Sequence, residues 1–289
     1  MYYGLIALAV CLFGASFKFK DIYEKKEGVS NGIASALRYT VISSIAPFVI
    51  LVCINRFKIE FTLFSFVIAL LSAVNMLVFN YCSFKALERA NLSLYSIYSM
   101  LGGMLLPFLQ GMLFYGEPLS FNKMLCVALI SVALLLTFEK GTYSKGSIYY
   151  LGIFISNGMF GVLTKIFTSA KQSKTSSVGF TLLTVICCVI ISYLALRLVF
   201  KDRVIASEKV SAFGLFSAAM DGTLNRVANL LLVLALMHVD ASVQYPMVTG
   251  GVMVVSTIIG CFGEQKPKPR ELLSVAVAFA GLLAMINLK

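Results

Sequence analysis

The chain has 289 residues, 59% of them hydrophobic and only 13% charged, with a formal net charge of +11. A soluble domain of this length cannot hide so much apolar surface, which excludes a water-soluble globule. The basic balance reads as loop lysines and arginines facing anionic lipid, since no aromatic-basic motif accompanies it and nucleic acid is not an expected partner.

A bilayer-crossing helix needs about 20 mostly apolar residues. In chain order the apolar runs are 2–19, 31–55, 61–86, 92–115, 121–138, 148–169, 177–200, 211–237, 241–262 and 271–288. The connecting segments are short and polar, as at Lys18 to Asn31 and Lys201 to Ser211. The first run is expected to be a retained helix and not a signal peptide, since no basic region precedes it and it matches an internal segment.

That match extends over the whole chain. Shifted by 147 residues, Tyr2-Tyr3 falls on Tyr149-Tyr150, Gly14 on Gly161, Lys18 on Lys165 and Tyr98 on Tyr245. In the same register Gly116-Glu117 falls on Gly263-Glu264. Two copies of one five-helix unit are therefore expected, over 1–140 and 148–289. Five is odd, so the second copy is inverted relative to the first. The expected fold is an all-α integral membrane protein of ten transmembrane helices, arranged as two inverted repeats around a central cavity. Such an arrangement gives alternating access by exchanging the conformations of its halves.

Lysine and arginine concentrate on the side reached by Lys18, Lys85, Lys140, Arg197 and Lys266. The positive-inside rule places that side in the cytoplasm and both termini outside. The 7 cysteines all sit in apolar runs, and their odd number offers no disulfide framework. Neither a metal site nor another cofactor is expected: the chain has 1 histidine, and no cysteine lies near it in sequence.

Charges inside a bilayer are costly, about 2.5–3.5 kcal/mol each at the centre by insertion scales, and invite functional readings. Asp221 and Arg226 lie in the eighth run and Arg38 in the second. Under the repeat they align with Val74, Phe79 and Val185, so duplication does not explain them. Asp221, Asn225 and Asn229 follow i, i+4, i+8 and form one polar stripe, whereas Arg226 is turned about 100° from Asn225 toward a neighbouring helix. Asp221 is read as a cation anchor or proton acceptor, against a purely charge-compensating pair with Arg38 or Arg226. Tyr95, Tyr98, Ser99, Gly102 and Gln110 line one helix, and Ser242, Tyr245, Pro246, Thr249 and Ser256 another. Tyrosines there can close an apolar pocket and face a cation with their rings. Asn75 adds a polar group to the third run. The candidate substrate-binding set is thus Asp221, Asn225, Arg226, Arg38, Asn75, Tyr95, Tyr98, Tyr245 and Thr249. Glu117 and Glu264 read more simply as caps or hinges, each near the start of the helix that follows it. Lys18 and Lys165 are expected to snorkel to the interface, the alternative being that they attract anions at the cavity mouth.

The segment from Ala86-Leu87 through Tyr98 to Gly116-Glu117 resembles the EamA-type unit of the drug/metabolite transporter superfamily, and Tyr245-Pro246 with Gly263-Glu264 repeats it. Ser99 stands where the second copy has Pro246, and no tryptophan occurs. The resemblance implies a ten-helix basket that moves small metabolites across a membrane, and the lack of a recognisable targeting segment suits a bacterial plasma membrane. It implies cytoplasmic termini, opposite to the loop charges. The expected function is a secondary transporter or exporter of a small polar or amphipathic metabolite, an amino-acid-like zwitterion or an organic ion, with proton or ion coupling open. One acid against two arginines favours a zwitterion or an anion; an Asp221 free of both arginines favours cations. The alternative is a lipid or lipid-linked sugar flippase. An intramembrane enzyme is remote, because aspartyl chemistry needs two facing carboxylates and a zinc hydrolase needs HExxH.

Overall fold

A computed structural model describes residues 2–27, 32–87, 92–136, 147–200, 210–261 and 269–287. Among the described residues every regular element is an α-helix. In chain order these are α1 (Tyr2–Glu27), α2 (Gly32–Ile54), α3 (Leu63–Leu87), α4 (Leu92–Tyr115), α5 (Phe121–Leu136), α6 (Ser147–Ser169), α7 (Ser177–Phe200), α8 (Ala212–Leu236), α9 (Ala241–Cys261) and α10 (Pro269–Asn287).

Most of these bounds follow the apolar runs, because a helix is the segment that satisfies its own backbone in lipid. The largest departure is α1, which continues to Glu27, past the polar boundary near Lys18. Hydropathy marks where lipid contact ends, not where the helix ends, and no glycine or proline interrupts the chain between Ala15 and Glu27. Ser211 caps α8, its side chain accepting from the Gly214 N–H at 3.0 Å.

Among the described residues seven helices contain stretches long and apolar enough to cross a bilayer, among them Tyr2–Lys20, Leu37–Ile54 and Ala212–Leu236. The radial distribution of side chains agrees. Leu113, Phe114 and Leu198 face outward with more than two thirds of their surface exposed, while Ser16, Ser192 and Ser242 are fully buried. Apolar outside and small polar inside is the pattern of a multi-pass helical membrane protein, whose lipid solvent leaves hydroxyls to bond between helices.

Helix α1 packs mainly along α8, and secondarily along α9. Helix α6 lies against α4 and α3. Helix α2 meets α7 and α8, α3 meets α7, α4 meets α9 and α5 pairs with α10. One core joins α1, α8 and α9 through Ile6, Ala9, Val10, Ala228, Leu232, Ala235 and Val252. Another joins α3, α6 and α7 through Ile68, Ala73, Leu163, Phe167, Phe180 and Leu183, with the Phe167 and Phe180 rings stacked 4.0 Å apart.

Small residues set the closest approaches. A methyl group at Gly102 would collide with the backbone carbonyl of Phe154, and one at Gly222 with that of Ser43. The α4/α6 and α2/α8 backbones therefore touch at these points. Asn157 reinforces the first contact, donating to the Ser99 carbonyl at 2.6 Å.

Candidate functional site

The central feature is Asp221, a carboxylate in the third turn of α8 with 6% of its surface exposed. A buried carboxylate must be hydrogen-bonded or neutralised. The Ser16 hydroxyl of α1 donates to one carboxylate oxygen and the Tyr39 hydroxyl of α2 to the other. Three helices therefore converge on this side chain. The adjacent Gly222 makes that convergence possible, because only a residue without a side chain lets α2 approach α8 there. Around it, Asn80 of α3 donates to the Thr40 hydroxyl at 2.7 Å, and the Tyr23 and Tyr39 rings lie 5.0 Å apart.

The rest of the helix 8 stripe behaves differently. Asn229 donates to the Asn225 carbonyl at 2.8 Å and to its side-chain oxygen at 2.9 Å, so these two amides bond along their own helix. Arg226 turns to α7, where its guanidinium donates to the Cys188 sulfur at 3.6 Å. Among the described residues Arg226 makes no ion pair, so its charge is not the partner of Asp221. Arg38 is half-buried on α2, one residue before Tyr39.

The remaining predicted residues are dispersed. Asn75 donates to the Ser156 carbonyl at 2.8 Å and ties α3 to α6. The Tyr98 ring lies 5.3 Å from that of Tyr150, within an aromatic cluster that includes Phe79, Tyr81 and Tyr149. Tyr245 donates its hydroxyl to the Gly161 carbonyl at 3.1 Å, so it joins α9 to α6. Thr249 is buried on α9. Tyr95 lies in the first turn of α4, where its side chain is outside the described residues. Gln244, fully buried, donates to the Leu232 carbonyl at 3.1 Å and leaves its side-chain oxygen without a partner.

A second buried carboxylate sits in the α4–α5 corner. Glu117 follows Gly116, whose φ of +61° is the left-handed turn that suits glycine. Its carboxylate accepts from the Lys165 ammonium of α6 at 2.6 Å, and from the N–H groups of Ala241 at 3.0 Å and Ser242 at 2.8 Å. Glu117 thus caps α9 and not the helix that follows it in sequence. Capping is what the residue type predicts; the helix it caps is settled by packing. Lys165 does not snorkel: it is 8% exposed, with its ammonium 5.2 Å from the Tyr115 ring centre. Burial alone would raise the Glu117 pKa. The Lys165 hydrogen bond and the α9 N–H groups outweigh it and hold the carboxyl below its usual value. Lys123 extends the cluster, donating to Ser242 Oγ at 2.9 Å and pairing with Asp240 at 3.3 Å. Glu264, the sequence counterpart of Glu117, lies outside the described residues.

Sequence reasoning finds Asp221 but misses its partners. Ser16 is 205 positions away and Tyr39 is 182 positions away. A serine or tyrosine in an apolar run carries no mark that its hydroxyl meets a carboxylate. The nearest clue is Arg38, which draws attention to the turn containing Tyr39.

No family model matches the chain, and no curated protein matches it. The chain does resemble solved structures. One crystal structure of a protein aligns over 99% of this chain and 98% of its own length, at 15% sequence identity and a TM-score of 0.74. That likeness establishes a shared helical fold over essentially the full chain.

Proposed function

We propose that the protein is a secondary transporter or exporter of a small polar or amphipathic metabolite, an amino-acid-like zwitterion or an organic ion. It works by alternating access between two inverted five-helix repeats, 1–140 and 148–289, around a central cavity in a cell membrane. The drug/metabolite transporter resemblance of the Gly-Glu corners belongs to the same reading.

The observation that carries it is Asp221. A carboxylate buried in a span-length apolar helix, held by hydroxyls from two other helices, is costly to insert and marks a ligand or ion pathway. Helix packing supports the repeat. Renaming each helix by the one five places along exchanges the α1/α8 contact for α6/α3, and α1/α9 for α6/α4. It leaves α2/α7, α4/α9 and α5/α10 as they are. It exchanges α2/α8 for α7/α3 with nearly equal packing, whereas the contacts of α1 and of α6 differ in extent, as expected of two halves in different conformations.

The test is thermal melting of the purified protein against amino acids, quaternary amines, polyamines, organic anions and sugars, since a ligand of the folded state raises the midpoint. Solutes that bind then go into proteoliposome flux assays. Flux of one class, lost in Asp221→Asn, is the expected result. Absence of flux for every class removes the transporter reading.

A further inference from the structure

The Asp221 site contains an internal cation. The Lys20 ammonium of α1 lies 5.9 Å from the centre of the Tyr39 ring and 5.9 Å from that of Phe79. Both distances fall within the roughly 6 Å reach of a cation–π contact. The Tyr39 hydroxyl in turn donates to the buried Asp221 carboxylate. Phe79 is braced edge-on by Phe160 at 5.9 Å, and Tyr39 by Tyr23 at 5.0 Å. Two supported aromatic faces around one ammonium, with a carboxylate on the hydroxyl of one of them, is the chemistry that recognises amines. Arg226, the cation that would oppose such a site from the Asp221 helix, is directed to Cys188 on α7.

Lys20 is also placed to leave. It is half-buried and ends the apolar stretch Tyr2–Lys20. Its flexible stem can swing the ammonium along α1 toward the polar continuation that runs to Glu27, while the aliphatic carbons stay in contact with apolar surface.

We propose that Lys20 is a tethered stand-in for the substrate, and that Tyr39, Phe79 and Asp221 form a recognition site for an organic ammonium group, which enters by displacing Lys20. The proposal rests on the transporter reading and narrows its substrate to molecules that carry an ammonium, zwitterionic or cationic. Because Lys20 competes for the site, the apparent affinity is reduced by the fraction of time the lysine occupies it.

The experiment titrates the full-length protein in detergent with tetramethylammonium, butylammonium and, as the anionic control, butyrate. Thermal midpoints and saturation-transfer NMR of the probe alkyl protons report binding. The ammonium probes are expected to bind and butyrate is not. Lys20→Met is expected to tighten the ammonium probes by about tenfold, as loss of a tethered competitor requires. Phe79→Leu is expected to weaken them several-fold. A reading free of variants is the acetylation rate of Lys20 in the wild-type protein, followed by peptide mass spectrometry: ammonium probes that expel Lys20 into water accelerate it. Butyrate binding that Lys20→Met abolishes would make Lys20 an anion anchor and overturn the proposal, as would Lys20 labelling that ammonium probes leave unchanged. Flux of an anion or sugar with the ammonium probes inert defeats this proposal and spares the transporter reading. Ammonium binding without flux of any solute defeats the reading and spares the site.

Discussion

Among the described residues the carboxylates of Glu117 and Asp221 are buried, and the hydrogen-bond donors that meet them differ in kind. Glu117 meets an ammonium and two backbone N–H groups at the start of α9. Those donors are fixed by the helix itself and by a lysine that is itself buried. Asp221 meets the hydroxyls of Ser16 and Tyr39, rotatable groups carried by two other helices. A carboxylate fixed by charge and backbone is a staple. One held by rotatable hydroxyls between helices can exchange partners when those helices move. The difference teaches that a deep acid is not functional by its depth alone; the donors decide.

The largest expected effect breaks the staple. Glu117→Ala strands a buried lysine and uncaps α9, and should cost about 3–5 kcal/mol, the usual penalty for removing one partner of a buried pair. Denaturation in detergent measures it. A loss below about 1 kcal/mol would mean the cluster is not structural. Asp221→Asn, in contrast, keeps one oxygen that accepts from one hydroxyl and turns an amide N–H to the other, whose hydroxyl can rotate to accept it, and should lose ligand binding with only about 1 kcal/mol of stability. If both variants lose stability equally, the distinction between the two carboxylates falls.

An intermediate effect tests the approach that brings Tyr39 to Asp221. Gly222→Ala forces a methyl against the Ser43 carbonyl, and overpacking of this kind costs about 1–3 kcal/mol. Gly4→Ala is the control, since nothing lies within 4 Å of a methyl there. Ligand affinity should fall in the first variant and not in the second; equal affinities would detach the site from the α2/α8 contact.

Smaller still, Tyr245→Phe removes one hydroxyl donor to Gly161, for about 0.5–1.5 kcal/mol. Transport and binding that stay at wild-type level would assign Tyr245 to packing; lost binding with unchanged stability would assign it to the substrate.

The subtlest effect is in pH. The folded Glu117 carboxyl titrates below its usual value of 4.5, so its stabilising contribution is complete above that value. It is lost as pH falls through the lowered folded value, because protonation discards the charge that Lys165 and α9 hold. Melting points of wild type and Glu117→Gln should therefore run parallel near neutrality and converge in acid below about 4.5. Profiles that stay parallel throughout the acid range would remove Glu117 as the titrating group.

Much of the fold was legible without a structure. Lipid permits only self-satisfied backbone, so an apolar run of the right length in this chain is a helix, and the runs from 61–86 to 241–262 map onto α3 to α9 with small shifts at their ends. The stripe of Asp221, Asn225 and Asn229 follows from helical period alone, as does the turning away of Arg226. Glu117 as a cap follows from a carboxylate after a turn glycine.

What tertiary structure decided is which groups meet. Helix period places a side chain on a face but says nothing about which of the other helices covers that face. Glu117 caps α9, over 120 positions away, because the α4–α5 corner packs beside it. Lys165 is buried and not at the surface, since that same carboxylate compensates its charge. Ser16, Lys20, Tyr39 and Phe79 came together only when α1 and α2 packed against α8 and α3 packed against α2. In a bilayer apolar residues carry little information about helix partners, because lipid serves them as well as protein does. Pairing is instead set by small-residue contacts and interhelical hydrogen bonds, which are properties of two segments at once.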